Sequence, residues 1–338
     1  MQTFCRGIQW VLCDSIMNSY ECIPFLKKAG SGLDFKSLMT SEIDAAWAFR
    51  RYQEICSRLP VATFPAVSAR YPSLAAVSDD YDVFVFDSFG VLNVGDTAIA
   101  GAGQRINALQ AAGKSVFVLT NAASHPLARI KDKFLGLGFD FADREIISSR
   151  ATLYHALGTY DPDMRWAVAA PESAEISELP CRVQPLGDAA GKEADGFILL
   201  SSSGWTDARQ KALEQALASN PRPVLVGNPD LVAPREQGFS RQMGSYAHDL
   251  ADAMGISPAF FGKPFGNVFA ALLSALPEKI NRRRILMVGD TLHTDILGAA
   301  AVGLSTALVT ADGVLRGLDV GRCIDESGIR PDIIVPRI

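Results

Sequence analysis

Tyr81-Asp82-Val83-Phe84-Val85-Phe86-Asp87-Ser88-Phe89-Gly90-Val91-Leu92 is the stretch from which the 338-residue chain is best read. Val83 to Phe86 is a short apolar run of β-branched and aromatic residues, the pattern of a strand buried on both faces in a parallel sheet. Asp87 stands where that strand ends. In open α/β sheets the chemistry sits beyond the carboxyl ends of the strands. A carboxylate there is costly to desolvate unless a metal ion, a hydrogen-bond network or a catalytic role justifies it. Gly90 permits a sharp turn, because glycine has no Cβ to clash at positive φ. The plainer alternative is an Asp that only caps the following turn.

Three later stretches bear on that choice. Val116-Phe117-Val118-Leu119-Thr120-Asn121 is a second buried-strand pattern, ending in a hydroxyl and an amide. Phe261-Gly262-Lys263-Pro264 sets a lone lysine in a Gly/Pro-punctuated loop before a helix. Ile285-Leu286-Met287-Val288-Gly289-Asp290 is a third strand ending in a carboxylate, with Asp295 five residues on. In this order the four stretches resemble the motifs of the haloacid dehalogenase (HAD) superfamily. The long insertion between the second and third resembles class IIA of that superfamily, which includes nitrophenyl, phosphoglycolate and pyridoxal phosphatases. The resemblance runs over roughly residues 78–338. It implies an α/β fold: a doubly wound, Rossmann-like parallel-sheet core with a large α/β cap domain.

The expected organisation is an N-terminal extension over 1–78, a core formed by 79–149 and 260–338, and a cap over 150–259. Within the extension, Ser41-Glu42-Ile43-Asp44 reads as a capping box opening a helix over 41–59. Its apolar positions Ala45, Ala48, Tyr52, Ile55 and Leu59 keep helical spacing, which suits a helix docked on the core; an oligomer contact is the sharper alternative. In the cap, Trp166–Ala169, Phe197–Leu200 and Val224–Val226 read as strands and Ala208–Ala218 as a helix.

Composition narrows the function. A net charge of −5 argues against nucleic-acid binding. No apolar run approaches the ~18 residues that span a bilayer, so no membrane partner is expected. The six cysteines are scattered without a CxxC pair, against a zinc site and in keeping with reduced thiols in the cytoplasm.

By resemblance, Asp87 is a nucleophile and a metal ligand. Asp290 is the second carboxylate ligand and the backbone carbonyl of Phe89 the third, with Mg²⁺ the implied cofactor. Asp295 would orient a metal-bound water or Lys263. Ser88, Thr120 and the amide of Asn121 would hold substrate, and Lys263 would neutralise charge on Asp87 and the phosphoryl group. Asn228-Pro229-Asp230 is similar to the asparagine–aspartate loop of class IIA caps, which makes Asn228 and Asp230 candidate substrate contacts. Arg235, Arg241 and His248 are further polar candidates in the cap. Each has a plainer alternative: Thr120 and Asn121 as helix caps, Lys263 as a solvated lysine, Asp295 as a first-turn acid. His125 and His293 read as local structure or pocket lining. The partner implied is a small phosphorylated metabolite. Related caps often mediate homodimers, so a homodimer belongs to the same expectation.

One position departs from the pattern. HAD phosphatases usually carry a second Asp two residues after the nucleophile, to protonate the leaving group and activate water. Here that residue is Phe89, which cannot transfer protons. An uncharacterised class IIA subgroup is similar, with an aromatic residue at that position followed by Gly-Val-Leu. Three readings follow: a Mg²⁺-dependent phosphohydrolase with an altered acid–base step, a catalytically weak or inactive binding protein on the same fold, and a metal-independent dehalogenase-type hydrolase.

Overall fold

A computed structural model describes residues 43–187, 191 and 193–338. Among them, no helix is long and apolar enough to cross a membrane.

The larger sheet has seven strands, all parallel. In spatial order they are Ala69–Arg70, Ile333–Val335, Ser305–Val309, Ile285–Gly289, Val83–Phe86, Ser115–Thr120 and Ile146–Ser148. Strand alternation divides its side chains between two faces. Phe84 and Phe86 pack with Ile106, Leu109, Ile130 and Phe134 on one face. Val83 and Val85 pack with Phe117, Val268, Phe269 and Met287 on the other. Both faces are covered by helices, which is why these strands are apolar without interruption. Phe86 lies between Val118 and Val288 in register, so the ends of three strands come level. Asp87, Thr120 and Asp290 are thereby delivered to one edge.

The second sheet is built from the inserted segment: Ala259–Phe260, Val224–Val226, Gly196–Leu199, Arg165–Ala169 and Arg182–Pro185, again all parallel. Asp207–Ser219 and Met243–Met254 cover one face through Leu213, Leu217, Met243, Ala247 and Leu250. Trp166, Val168 and Ile198 pack with Leu153 and Leu157 on the other. Because Ala259–Phe260 pairs in this sheet, the return to the core comes after Phe260, not at residue 260 as the sequence suggested. The short hairpin Val232–Pro234/Phe239–Arg241 projects from the insertion.

The N-terminal helix is Ala45–Glu54, followed by a 3₁₀ turn, Cys56–Arg58. It is shorter than the expected 41–59. Asp44 is its N-cap, accepting the Trp47 N–H at 2.6 Å, whereas Ser41 and Glu42 of the expected capping box lie outside the described residues. Ala48, Phe49, Tyr52, Ile55 and Leu59 are buried against Leu231 and Val232 of the insertion and Leu292, Ile296, Val314 and Ile324 of the core. The helix is docked, as its apolar stripe implies.

Candidate active site

At the edge where the strands come level, Asp87, Asp290 and Asp295 are buried with carboxylate oxygens within 4.8 Å of one another. Lys263 is 2% exposed, and a lysine so deeply buried requires a counter-charge. It has two: Nζ donates to Asp87 Oδ1 and lies 2.7 Å from Asp295 Oδ1.

The backbone holds these carboxylates at fixed orientations. Asp295 Oδ2 accepts the N–H groups of Asp290 (3.1 Å) and Thr291 (3.0 Å), across a π-helical turn, Leu292–Ile296. Asp290 accepts the Thr291 hydroxyl at 2.7 Å and the Val314 N–H at 2.7 Å. Gly90 has φ +82°, and a Cβ there would strike the Asp290 carboxylate and the backbone of Gly313. Only glycine lets the turn after Asp87 pass so close to the second acid.

Asn121 ties the lysine loop to the insertion. Its Oδ1 accepts the Lys263 N–H (2.7 Å), and its Nδ2 donates to the Lys263 carbonyl (2.9 Å) and Asp230 Oδ1 (2.8 Å). The Thr120 hydroxyl accepts the Ala122 N–H at 3.2 Å. Asp230 therefore faces the Asp87–Lys263 pair from the insertion. Asn228 is directed elsewhere: its Oδ1 accepts the Asp230 N–H (3.1 Å) and its Nδ2 donates to Gln242 (3.1 Å), so it shapes the loop and does not present an amide to a ligand. Gly244 opens the next helix against this loop; a Cβ there would overlap the carbonyls of Pro229 and Asp230. Ser88 is also turned inward, donating from Oγ to Asn93 Oδ1 at 2.8 Å.

Burial drives the electrostatics. It pushes the Asp87 carboxyl up to about 7, against the pull of Lys263, with Asp295 and Asp230 adding to the rise. Asp290 is raised well above the usual carboxylate range by burial and by Asp295 and Asp87. Asp230 is pushed up to about 6 by burial, with Lys263 opposing. For Lys263 burial works against the charge, but Asp295, Asp87 and Asp230 outweigh it and the ammonium is held well above its ordinary value. The crowding of acids exceeds what one lysine relieves. Buried, oxygen-only donors so close together are the donor set of a hard divalent cation, and they fit one without rearrangement of ligand type.

Phe89 is half-buried at the rim. Lys133 Nζ lies 4.6 Å and Arg235 Cζ 5.2 Å from its ring centroid, in the range of cation–π attraction. Arg235 is the one of the three further cap candidates that reaches the site. Arg241 is spent on Asp249 and on the Tyr246 ring, 4.0 Å away, and His248 is stacked on Phe260 at 4.6 Å. Around Phe89 a second short hairpin, Asn93–Val94/Thr97–Ala98, meets the hairpin of the insertion. Gly95 N–H donates to the Pro234 carbonyl (3.3 Å), and Asp96 N–H and the Thr97 hydroxyl donate to Glu236 (2.9 and 3.3 Å). Lys133 also pairs with Asp96 at 3.0 Å.

Several contributors left no mark in the sequence. The Val314 N–H and Lys133 belong to no motif, and their roles arise only when distant segments meet. Tyr52 is the same case: its hydroxyl accepts the Leu231 N–H at 3.2 Å, beside Asp230.

This fold and site define an aspartate-centred α/β hydrolase whose second sheet overhangs the carboxylates. A family model for haloacid dehalogenase-like hydrolases matches residues 84–178, and an HAD-hydrolase-like model matches 260–338. The chain belongs to the haloacid dehalogenase-like hydrolases. It is 28% identical over 240 residues to D-glycerol 3-phosphate phosphatase of Mycobacterium tuberculosis, covering 70% of this chain and 65% of that protein. It is 26% identical to human glycerol-3-phosphate phosphatase, covering 78% of this chain and 90% of that one. Among solved structures, a possible sugar phosphatase from Cytophaga hutchinsonii matches with TM-score 0.70 and 26% identity, covering 80% of this chain and 98% of that one.

Proposed function

We propose that the protein is a divalent-metal-dependent phosphohydrolase, with Mg²⁺ the natural ion, acting through Asp87 on a small phosphorylated metabolite. The observation that carries this reading is Lys263 joined to both Asp87 and Asp295 next to Asp290. The similar proteins named for glycerol phosphate and sugar phosphate hydrolysis support a small polyol or sugar phosphate as substrate.

Asp87, Asp290 and the Phe89 carbonyl would hold the cation, which when bound would screen the carboxylates and the phosphoryl oxygens from one another. Lys263 favours the charged form of Asp87 against the effect of burial and holds the side chain in one rotamer. An Asp87 oxygen attacks phosphorus, the bond to the leaving oxygen breaks, and an aspartyl-phosphate results. Water then attacks that phosphorus and regenerates Asp87. Lys263 and the Thr120 hydroxyl would receive the phosphoryl oxygens. Phe89 supplies no proton to the leaving oxygen. General acid help is typically worth about 10²–10⁴ in rate, so leaving groups that need no protonation are favoured.

The test is phosphate release from acetyl phosphate, aryl phosphates and alkyl esters such as glycerol phosphate, with Mg²⁺, with chelator, and with Asp87→Asn. Metal-dependent release that Asp87→Asn abolishes is expected, with acetyl phosphate fastest. Release that survives chelator would remove the metal from the reading, whereas halide release from a haloacid in chelator, without phosphate release, would favour the dehalogenase-type hydrolase. A wild-type protein inert on all of them would favour a binding protein, the reading to which Phe89 lends most.

A further inference from the structure

The helix Ala45–Glu54 lies outside both family-matched regions, yet its side chains reach the site from two directions. Tyr52 is buried. Its hydroxyl accepts the Leu231 N–H at 3.2 Å, immediately after Asp230. Its ring stacks on His293, centroids 5.1 Å apart and 9° from parallel. His293 lies between Asp290 and Asp295 in the turn that orients both acids. Its Nε2 is 2.7 Å from Gln53 Oε1, while Gln53 Nε2 donates to the Glu326 carbonyl at 3.0 Å. The amide orientation is thus fixed, and His293 donates from Nε2. Arg51, in turn, binds Asp249 (3.0 Å) and Asp252 (2.5 Å) on the helix that follows the Asp230 loop, and Arg58 pairs with the same Asp252.

We propose that this helix is part of the active site, with Tyr52 as a positioning residue that holds the Asp230 loop over Asp87 in register with the Asp290–Asp295 turn. The inference rests on the phosphohydrolase reading. From Tyr52 the connection runs through the Leu231 N–H to Asp230, from Asp230 to Asn121 Nδ2, and from Asn121 to the backbone of Lys263, whose ammonium holds Asp87. A phenolic oxygen is required for the first link. The ring alone suffices for the stack on His293.

Tyr52→Phe separates the two, since it deletes the oxygen and keeps the ring. Phe49→Leu serves as the packing control: Phe49 lies on the same helix and meets His293 edge-on at 5.8 Å, but makes no bond to the loop. The full chain is assayed with Mg²⁺ on its best substrate from the panel above. Tyr52→Phe is expected to raise KM about tenfold with kcat within about twofold, the signature of a misplaced substrate contact. Phe49→Leu is expected to lower Tm and leave KM in place. In an Asp230→Asn background the Tyr52→Phe effect should vanish, because the two residues act as one unit. The inference is overturned if Tyr52→Phe keeps the wild-type KM, if Phe49→Leu raises KM equally, or if the Tyr52 and Asp230 effects add. A wild-type protein with no turnover removes the phosphohydrolase reading and this inference with it. That outcome is distinct from an active wild type that is indifferent to Tyr52.

Discussion

On the proposed reading, Phe89 is the residue on which the chemistry turns. Where a proton donor is usual, this chain places an aromatic ring and sets Lys133 and Arg235 over it. Those cations stabilise a ring quadrupole here, and would stabilise a carboxylate more strongly. Phe89→Asp should therefore fold, its new carboxylate drawn towards Arg235. Alkyl ester turnover should rise by up to about 10², the lower end of general-acid assistance, while acetyl phosphate turnover changes little. Phosphate release compared across the two substrate types checks this; an equal change on both would mean that the missing proton is not what limits the native protein.

Residues of this kind were legible to different degrees. Asp87, Lys263 and Asp290 stand at strand ends and in a glycine–proline loop, where local pattern alone restricts what a polar residue can do. Asn228 and Ser88 misled because a polar side chain beside a motif can point either way, and here both close turns within their own loops. Tyr52 carried only an apolar helical spacing. Its hydroxyl acquires a role through a partner 179 positions away.

At the level of elements, the two sheets were readable because parallel strands buried on both faces are apolar runs of a recognisable length. Arg182–Pro185 escaped notice because it is an edge strand with no buried position. The Met243–Met254 helix begins without a side-chain cap, so the usual start signal is missing. What joins this helix to Ala45–Glu54 is charge. Arg51 is 14% exposed and serves Glu54, Asp249 and Asp252 together. A half-buried cation shared among three carboxylates is worth more than a solitary surface pair, so Arg51→Ala should cost about 1–2 kcal/mol. Urea unfolding at low and high salt measures this. The loss should shrink in high salt, since part of it is screened, whereas a salt-independent loss would point to packing of the arginine stem.

For the whole molecule, buried titratable groups set opposing slopes with pH. His248 is lowered to about 4 by burial and by Arg58 and Arg51, and His293 to about 3 by burial. The unfolded chain takes up those protons first, so stability is full above about pH 6.5 and is lost as pH falls towards 4. Asp87 and Asp290 are raised, so the folded chain holds protons that the unfolded chain releases. The Asp87 contribution is present at low pH and is lost as pH rises through about 7, and that of Asp290 is lost in the same sense. A divalent cation replaces the protons on the acids, so Mg²⁺ should raise Tm more at about pH 8 than at about pH 6. Thermal unfolding with and without Mg²⁺ at the two pH values tests this, and an equal gain at both would separate the ion from these carboxylates.

The rim around Phe89 has a consequence of its own. The bonds from Asp96 and Thr97 to Glu236 are exposed, whereas the Gly95–Pro234 bond beside them joins two buried residues. Water competes for the two exposed bonds and not for the buried one, so on the proposed reading the two hairpins would part first at Glu236. Such a seam would be a sieve in time: a compact molecule would need one brief parting, and a bulky one several that coincide. Selection at the rim would then act on how quickly a molecule arrives at Asp87, before its charge or hydroxyl pattern is ever sampled.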